Sequence, residues 1–363
     1  MKRLLLLGAG HAQLSVLSAL ATQRMAGAEA LLVTTSERLL YSGMVPGLIA
    51  GRWREADCSI DIAALARAAH VPLRLGRAVA LDAAAHTVTL ADGEHIGYEA
   101  LSINTGPTMN RERIPGAREH ALFVRPIEAF IAFWQRTRAL AKERPLAVLV
   151  IGNGAAGVEI VLAVRSALGA RASLTLVSDG ALLPSYTPQV RERATAALRR
   201  AQVQVLPGRC SGIERQHVQI GSMRVACDAP IVAVGSDPPE WLVSSGLALD
   251  DAGFVRVGAT LQSASHANVF AAGDVIVRDD VPHPRSGVYA VRAGPVLAAN
   301  LHAFVAGGTL SPYVPQPRSL NLLALGDGRA IASWGAWSAQ GRLMGWWKDR
   351  IDRAFIARYR APG

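Results

Sequence analysis

Leu4-Leu5-Leu6-Leu7-Gly8-Ala9-Gly10-His11-Ala12-Gln13 is an apolar segment that runs into a Gly-x-Gly turn. The pattern returns as Val148-Leu149-Val150-Ile151-Gly152-Asn153-Gly154-Ala155-Ala156-Gly157. Each copy predicts a buried strand, a glycine turn and then a helix, an arrangement that places a pyrophosphate at the helix N-terminus. Two copies predict two dinucleotides held near each other, and the simplest use of such a pair is hydride transfer between a nicotinamide and a flavin.

The repeat extends to the end of a second strand in each copy. Twenty-six residues lead from Gly8 to Thr34, which follows the apolar run 30–33, and 26 lead from Gly152 to Ser178, which follows 174–177. Both positions lack the carboxylate that commonly binds a ribose 2′-hydroxyl. Glu37 and Asp179 lie close enough in sequence to replace it, so the preference between NADH and NADPH stays open.

Alternating segments follow each copy and predict small β-sheets. They cover 77–81, 86–90 and 95–98 after the first copy, and 202–206, 217–220 and 223–226 after the second. An apolar strand stopped by glycine closes each stretch, at 101–106 and at 231–235. A further buried strand is expected to run into Asp274, followed by a helix over 287–301.

This order predicts an α/β protein with two Rossmann-like, three-layer ββα dinucleotide-binding domains and a small C-terminal domain. We expect a discontinuous first dinucleotide-binding domain over 1–115 and 256–305, a second one over 116–255, and an interface or membrane-surface domain over 306–363; the resemblance named below implies FAD for the first and NAD(P)H for the second.

Composition narrows the function classes. The formal net charge is +10, but the basic residues are scattered and no nucleic-acid-binding motif is present. The three cysteines, Cys58, Cys210 and Cys227, form no Cys-x-x-Cys pair, and the histidines show no metal-ligand spacing. Gly8 interrupts the leucines that follow Lys2-Arg3, so we interpret this segment as a buried strand and expect a cytoplasmic protein.

For three polar residues near the predicted turns, the sequence permits both a structural and a functional role. Asp274 either caps its turn or accepts a hydrogen bond from a flavin ribityl chain, with the helix at Gly287 directed at the flavin pyrimidine ring. Glu159 either complements its helix dipole or shapes the nicotinamide pocket, as a candidate catalytic residue. For His11 we favour a polar contact at the helix start over a catalytic role.

The C-terminus concentrates aromatic residues. Four of the seven tryptophans, at 334, 337, 346 and 347, lie in the last 30 residues, and a helix is expected over 346–359. Trp347, Ile351, Phe355 and Tyr359 are four residues apart, with arginines on other faces. This pattern is typical of a helix at a membrane surface, on the inner face of the cytoplasmic membrane, or of one docked on the protein core or at a homodimer interface.

Together these residues resemble the two-dinucleotide-domain flavoproteins, the superfamily of the pyridine nucleotide-disulfide oxidoreductases. Without an active-site disulfide, the chain is similar to the type II NADH dehydrogenase and ferredoxin-reductase-like branches. It also resembles the flavoprotein module sometimes fused to selenide, water dikinase. The stretches that carry this resemblance are 10–12, 41–48, 58–61, 102–106, 287–292 and 348–353.

The resemblance implies FAD in the first site and NADH or NADPH in the second, with Pro46 and Thr105-Gly106 against the flavin and Val79 beside the adenine. The residues expected at the FAD site are Gly8, Gly10, His11, Ala12, Thr34, Pro46, Val79, Thr105, Gly106, Asp274 and Tyr289. Those expected at the NAD(P)H site are Gly152, Gly154, Ala155, Ala156, Gly157, Ser178 and Gly235.

The expected function is an FAD-dependent NAD(P)H dehydrogenase that passes electrons to a quinone or another acceptor. Type II NADH dehydrogenases carry glutamines on the helix beside the flavin, where this chain has Tyr289, Arg292 and Ala293. Two alternatives remain at this stage: a reductase of a soluble iron–sulfur protein, and a flavin-binding accessory protein or redox sensor without enzyme activity.

Overall fold

The computed structural model describes residues 1–360. Its helices are α1 (His11–Thr22), α2 (Val45–Ile49), α3 (Ile62–Ala68), α4 (Ala117–His120), α5 (Ile127–Glu143), α6 (Ala155–Leu168), α7 (Pro188–Arg200), α8 (Gly287–Ala306) and α9 (Arg342–Arg358).

Strands of the first half are β1 (Lys2–Leu7), β2 (Ala28–Thr34), β3 (Arg38–Leu40), β4 (Ser59–Asp61), β5 (Leu73–Leu75), β6 (Ala78–Asp82), β7 (Thr87–Leu90), β8 (His95–Gly97), β9 (Ala100–Ile103), β10 (Leu122–Phe123), β11 (Leu146–Ile151) and β12 (Ala172–Ser178). Those of the second half are β13 (Val203–Pro207), β14 (Cys210–Ile213), β15 (His217–Ile220), β16 (Met223–Ala226), β17 (Ala229–Val232), β18 (Val255–Arg256), β19 (Val269–Ala271), β20 (Ile276–Val277), β21 (Asn321–Ala324), β22 (Ala330–Trp334) and β23 (Trp337–Gly341).

The first glycine turn lies at the edge of a five-stranded parallel sheet in the order β19-β9-β1-β2-β5. Its central strand β1 buries Leu4, Leu5 and Leu6 completely, as a strand covered on both faces requires. β19 comes from far along the chain and pairs with β9. The late segment therefore returns Asp274 to the same sheet edge as Gly8.

The second sheet repeats this arrangement in the order β10-β17-β11-β12-β13. β11 pairs with β12 in parallel register, Val148 opposite Leu174, as β1 pairs with β2. The antiparallel sheets β6-β7-β8 and β14-β15-β16 accompany the two large sheets. The α/β prediction with two Rossmann-like units is confirmed, and the exact domain boundaries stay predictions.

α8 is the longest helix and extends five residues beyond its predicted end at 301. It packs along α1, where Gly294 lies so close to Ser15 that an added Cβ would come 2.5 Å from Ser15 Oγ. Among residues 1–360 it is the one helix long and apolar enough to cross a membrane, yet half of its apolar window is buried, as in the core helix of a soluble protein.

The C-terminal unit is the antiparallel sheet β21-β22-β23 with α9 across it. α9 begins at Arg342, four residues before the predicted start. Of the placements predicted for its aromatic face, these contacts support docking on the protein core: Tyr359 is 2% exposed and its hydroxyl bonds Ser15 Oγ at 3.0 Å, while Phe355 stacks on Tyr41. Leu343, Trp346 and Ile351 of α9 keep exposed side chains, whereas Phe355 and Tyr359 pack against the first unit.

Candidate functional site

The first glycine turn is held by Asn104, a residue at the end of β9 that the sequence analysis did not single out. Its side-chain oxygen accepts hydrogen bonds of 3.0 Å from the backbone N–H groups of Ala12 and Gln13, at the start of α1. Gly10 is required here, since an added Cβ would come 2.5 Å from that oxygen. The glycine therefore allows α1 to begin directly against β9.

Gln13 occupies the position of the third glycine of the motif. It is completely buried, and its side-chain oxygen accepts a 2.9 Å hydrogen bond from Ser102 Oγ on β9. In the second copy Gly157 does the packing instead, because an added Cβ would lie 2.0 Å from the backbone oxygen of Gly152. In the first copy, the hydrogen bond between Ser102 and Gln13 therefore replaces the close backbone packing that Gly157 allows in the second copy.

Two buried polar atoms at the first site have no hydrogen-bond partner among residues 1–360: Nε2 of His11 and Oδ1 of Asp274. Arg125, which the sequence gave no reason to select, lies between their elements, 3.9 Å from Asp274. Burial, with a smaller effect of Arg125, lowers the pKa of His11 to about 4. Burial raises the pKa of Asp274 while Arg125 opposes the rise.

Unpartnered buried polar atoms are costly, and a ligand with matching donors and acceptors would satisfy them. The ribityl and phosphate groups of FAD have this chemistry, so the residues at this edge fit the cofactor. The N-terminus of α8 at Gly287 points to the same place, where an added Cβ would meet only the His11 ring, at 3.9 Å.

Most of the residues predicted for FAD lie near the carboxyl ends of neighbouring parallel strands, where α/β sheets bind ligands. Gly8 directly follows β1, Thr34 is the last residue of β2, and Asp274 lies three residues after β19. Thr105 is exposed and Gly106 has a φ of +73°, directly after β9. Pro46 is buried in α2, Val79 is 39% exposed on β6, and Tyr289 is buried and stacked on His283. Their contacts with FAD stay predictions.

The second glycine turn is more open. Gly152 has a φ of +146°, which favours glycine, whereas a Cβ on Gly154 would meet nothing within 4 Å. Ala155 and Ala156 are the first residues of α6. Their backbone N–H groups have no acceptor within the helix. Ser178 donates to the backbone oxygen of Gly180, and Gly235 lies beside Arg113. This turn has both the space and the donors for a pyrophosphate.

Glu159 lies on α6, where the second unit meets the C-terminal unit. Its Oε1 accepts a 2.7 Å hydrogen bond from the backbone N–H of Ala324, at the end of β21. Burial raises the pKa of this carboxyl to about 7, although the Lys348 charge and the Ala324 bond pull it down. A buried carboxyl with a raised pKa near a lysine is typical of functional sites, and its role stays a prediction.

A group of polar residues near Glu159 consists of Lys348, Asp352 and Tyr41. Lys348 Nζ donates to Asp352 at 2.8 Å and to the backbone oxygen of Gly43 at 2.7 Å, so α9 is fastened to the segment that precedes Pro46. Burial, with the Asp352 charge, raises the pKa of the Tyr41 phenol. The stretch 348–353 was among those that carry the family resemblance, but the Lys-x-x-x-Asp spacing on a helix was not recognised as a signal for this ion pair.

With this geometry in place, comparison with known proteins identifies the family. Residues 2–294 match the pyridine nucleotide-disulphide oxidoreductase family. The chain belongs to this family. It is 26% identical over 327 residues to the type II NADH:quinone oxidoreductase NdhA of Mycobacterium tuberculosis, a match that covers 78% of this chain and 68% of NdhA.

Two solved structures show the same fold. The sulfide:quinone oxidoreductase of Aquifex aeolicus superposes with a TM-score of 0.81 at 16% identity, covering 99% of this chain and 92% of that one. NDH2 of Plasmodium falciparum in complex with NADH also gives 0.81, at 12% identity, covering 99% and 97%. This oxidoreductase is therefore an NAD(P)H-dependent flavoprotein with FAD and NAD(P)H as cofactors, and the reading as a non-enzymatic accessory protein is not supported.

Proposed function

We propose that this oxidoreductase transfers reducing equivalents from NAD(P)H to a quinone, in the manner of a type II NADH dehydrogenase. The turn at Gly152-Gly154 binds the nicotinamide dinucleotide, and the edge formed by Gly8, Asn104 and Asp274 holds the flavin. When bound, FAD supplies the reversible two-electron chemistry that links the two substrates.

The observation that carries the proposal is the buried carboxyl of Glu159, which accepts a hydrogen bond from the Ala324 N–H at the junction with the C-terminal unit and feels the charges of Lys348 and Asp352. Reduction of a quinone to a quinol takes up two electrons and two protons, while NAD(P)H supplies one hydride. A buried carboxyl with a pKa of about 7 holds a proton in a large fraction of molecules at neutral pH and gives it up readily. The charge of Lys348 acts on this carboxyl, and Lys348 donates to Asp352 at 2.8 Å and to the backbone oxygen of Gly43, in the segment before Pro46, which we expect beside the flavin.

Similarity to NdhA, a type II NADH:quinone oxidoreductase, supports a quinone as the acceptor. The helix beside the flavin differs from the glutamine-bearing pattern, because Tyr289 is buried and Arg292 is exposed. We infer that Glu159 and Lys348 make the polar contacts to the quinone instead.

The exposed apolar side chains of the C-terminal unit support a proposal of membrane binding. Its exposed apolar side chains are Trp334, Trp337, Leu343, Trp346 and Ile351. Arg350 stacks over Trp346, with its guanidinium carbon 5.9 Å from the ring centroid. Tryptophan and arginine together suit the headgroup region of an anionic membrane. We propose peripheral binding to the inner face of the cytoplasmic membrane, where the quinone is dissolved.

An acceptor screen tests the proposal. The reduced protein is mixed with a short-chain ubiquinone or menaquinone, and in parallel with an acidic ferredoxin, while flavin reoxidation is followed. We expect fast reoxidation by the quinone with little effect of salt. Reoxidation by the ferredoxin alone, with a rate that falls steeply as ionic strength rises, would replace the quinone reading with that of a protein reductase.

A further inference from the structure

Two cavities lie along the outer face of α8 and share two lining residues, Pro295 and Arg358. One, of about 470 Å³, lies between α1 and α8, and the other, of about 480 Å³, lies between α8 and the segment 313–316. Each has the volume of a small-molecule site, which is roughly 300–1,000 Å³. None of the residues predicted to bind FAD or NAD(P)H lines either cavity, so this is a separate place on the molecule.

The second cavity has a cationic lining. Arg292 of α8 and Arg358 of α9 both line it, and neither has a carboxylate within ion-pair distance among residues 1–360. Gln316 lines it too, and both polar atoms of its side chain are buried without a hydrogen-bond partner in that part of the chain. Two guanidinium groups and an unsatisfied amide favour a carboxylate or phosphate group.

The first cavity is different in character. Val16, Ala19 and Leu20 of α1 line one side, and Pro295 and Ala299 of α8 line the other. Of the polar side chains at its wall, Ser15 and Tyr359 bond each other at 3.0 Å, whereas His302 Nε2 is buried without a hydrogen-bond partner among residues 1–360. A hydrocarbon chain in this groove would remove apolar surface on both partners from water, at about 25 cal/mol per Å².

We propose that the two cavities together form a binding site for an anionic amphiphile with one long hydrocarbon chain. The head group lies between Arg292 and Arg358 with Gln316, and the chain lies in the groove between α1 and α8. Because Arg358 lines both cavities, it marks the junction between head and chain. A free fatty acid and a lysophospholipid with an anionic head share this chemistry.

The test is equilibrium binding to the full-length, flavin-loaded protein without NAD(P)H, so it is independent of the acceptor. The probes are palmitate and lysophosphatidylglycerol, each below its critical micelle concentration, with hexadecanol as the uncharged control. We expect saturable binding of one molecule per chain for at least one anionic probe, at least ten-fold tighter than hexadecanol. The tighter of the two anionic probes identifies the source of the head group.

Variants locate the site. Arg292→Gln with Arg358→Gln should weaken binding of the anionic probe at least ten-fold, and Ala299→Phe, at an exposed helix position, should weaken it by filling the groove. Arg138→Gln, an exposed arginine on α5, is the matched control and should bind as the wild type does. Equal binding of palmitate and hexadecanol, no saturable binding, or equal weakening by Arg138→Gln would each overturn the proposal.

Discussion

The carboxylate of Glu159 accepts a 2.7 Å hydrogen bond from the backbone N–H of Ala324, which joins the second nucleotide-binding unit to the C-terminal unit. Helix α6, which begins at the open glycine turn, therefore carries its titratable carboxyl to the junction with α9. One helix thus links the expected nicotinamide site to the cluster of Lys348 and Asp352. The junction is where we expect protons to reach the acceptor.

Glu159→Gln keeps the acceptor oxygen for Ala324 and removes the ionisable group. We expect quinone turnover to fall by about 10²-fold, because general acid–base catalysis typically contributes at least that much. Reduction of the flavin by NAD(P)H should stay within two-fold of wild type. Separate rapid-mixing measurements of the two half-reactions check this, and Glu143→Gln, an exposed carboxyl on α5, serves as the control.

The pH dependence follows from the same group. Glu159 has a raised pKa, so it is protonated below about 7 and loses its proton as the pH rises through that value. Wild-type quinone turnover should therefore fall above about pH 7, and the Glu159→Gln profile should lack this limb. An unchanged limb in the variant would assign the titration to another group.

The glycines of the second turn should behave differently from each other. A methyl group on Gly154 meets nothing within 4 Å, and its φ of −83° suits alanine, so Gly154→Ala should fold normally. The methyl group points into the space expected for the pyrophosphate, and KM for NAD(P)H should rise at least ten-fold. Gly157→Ala, whose Cβ would lie 2.0 Å from the Gly152 oxygen, should lower the melting temperature instead. Loss of stability in Gly154→Ala, with normal KM, would contradict this assignment.

Asn104→Ala removes the acceptor for the N–H groups of Ala12 and Gln13 and a donor to Ala272. Since each hydrogen bond contributes about 0.5–1.5 kcal/mol, we expect the free energy of unfolding to fall by about 2–4 kcal/mol. FAD should also dissociate more readily, because the turn loses its support. Chemical unfolding and flavin fluorescence measure the two effects. The exposed neighbour Thr105→Ala should leave the free energy of unfolding within about 0.5 kcal/mol of wild type.

These placements show what the sequence could and could not predict. The strands β15 and β16 begin and end at the predicted residues, because alternating side chains and turn signals are local. The two glycine turns could also be predicted from the sequence, because their motifs are local. Asn104 and Arg125 were missed, since their roles depend on contacts with Ala12 and Asp274, which are distant in the chain. The sequence left open whether Phe355 and Tyr359 face a membrane or the protein core for the same reason: helical spacing does not tell which unit covers a face.

Membrane binding should depend on the exposed tryptophans of the C-terminal unit. Trp337→Ala with Trp346→Ala removes two side chains that are 49% and 57% exposed, so the fold should be little affected. Flotation with vesicles containing phosphatidylglycerol should fall at least five-fold. Phe133→Ala, on α5 and 47% exposed, is the control with similar exposure and should float like the wild type. Equal flotation of all three proteins would remove the membrane surface from the account.

The central claim is that two neighbouring phosphate-binding turns bring a flavin and a nicotinamide together. The most direct measurement is anaerobic addition of NADH, and separately NADPH, to the purified protein while the flavin absorbance is followed. We predict a yellow protein whose colour is lost completely within seconds with at least one of the two nucleotides. A protein that takes up no FAD, or one whose flavin stays oxidised with both nucleotides, would contradict the claim.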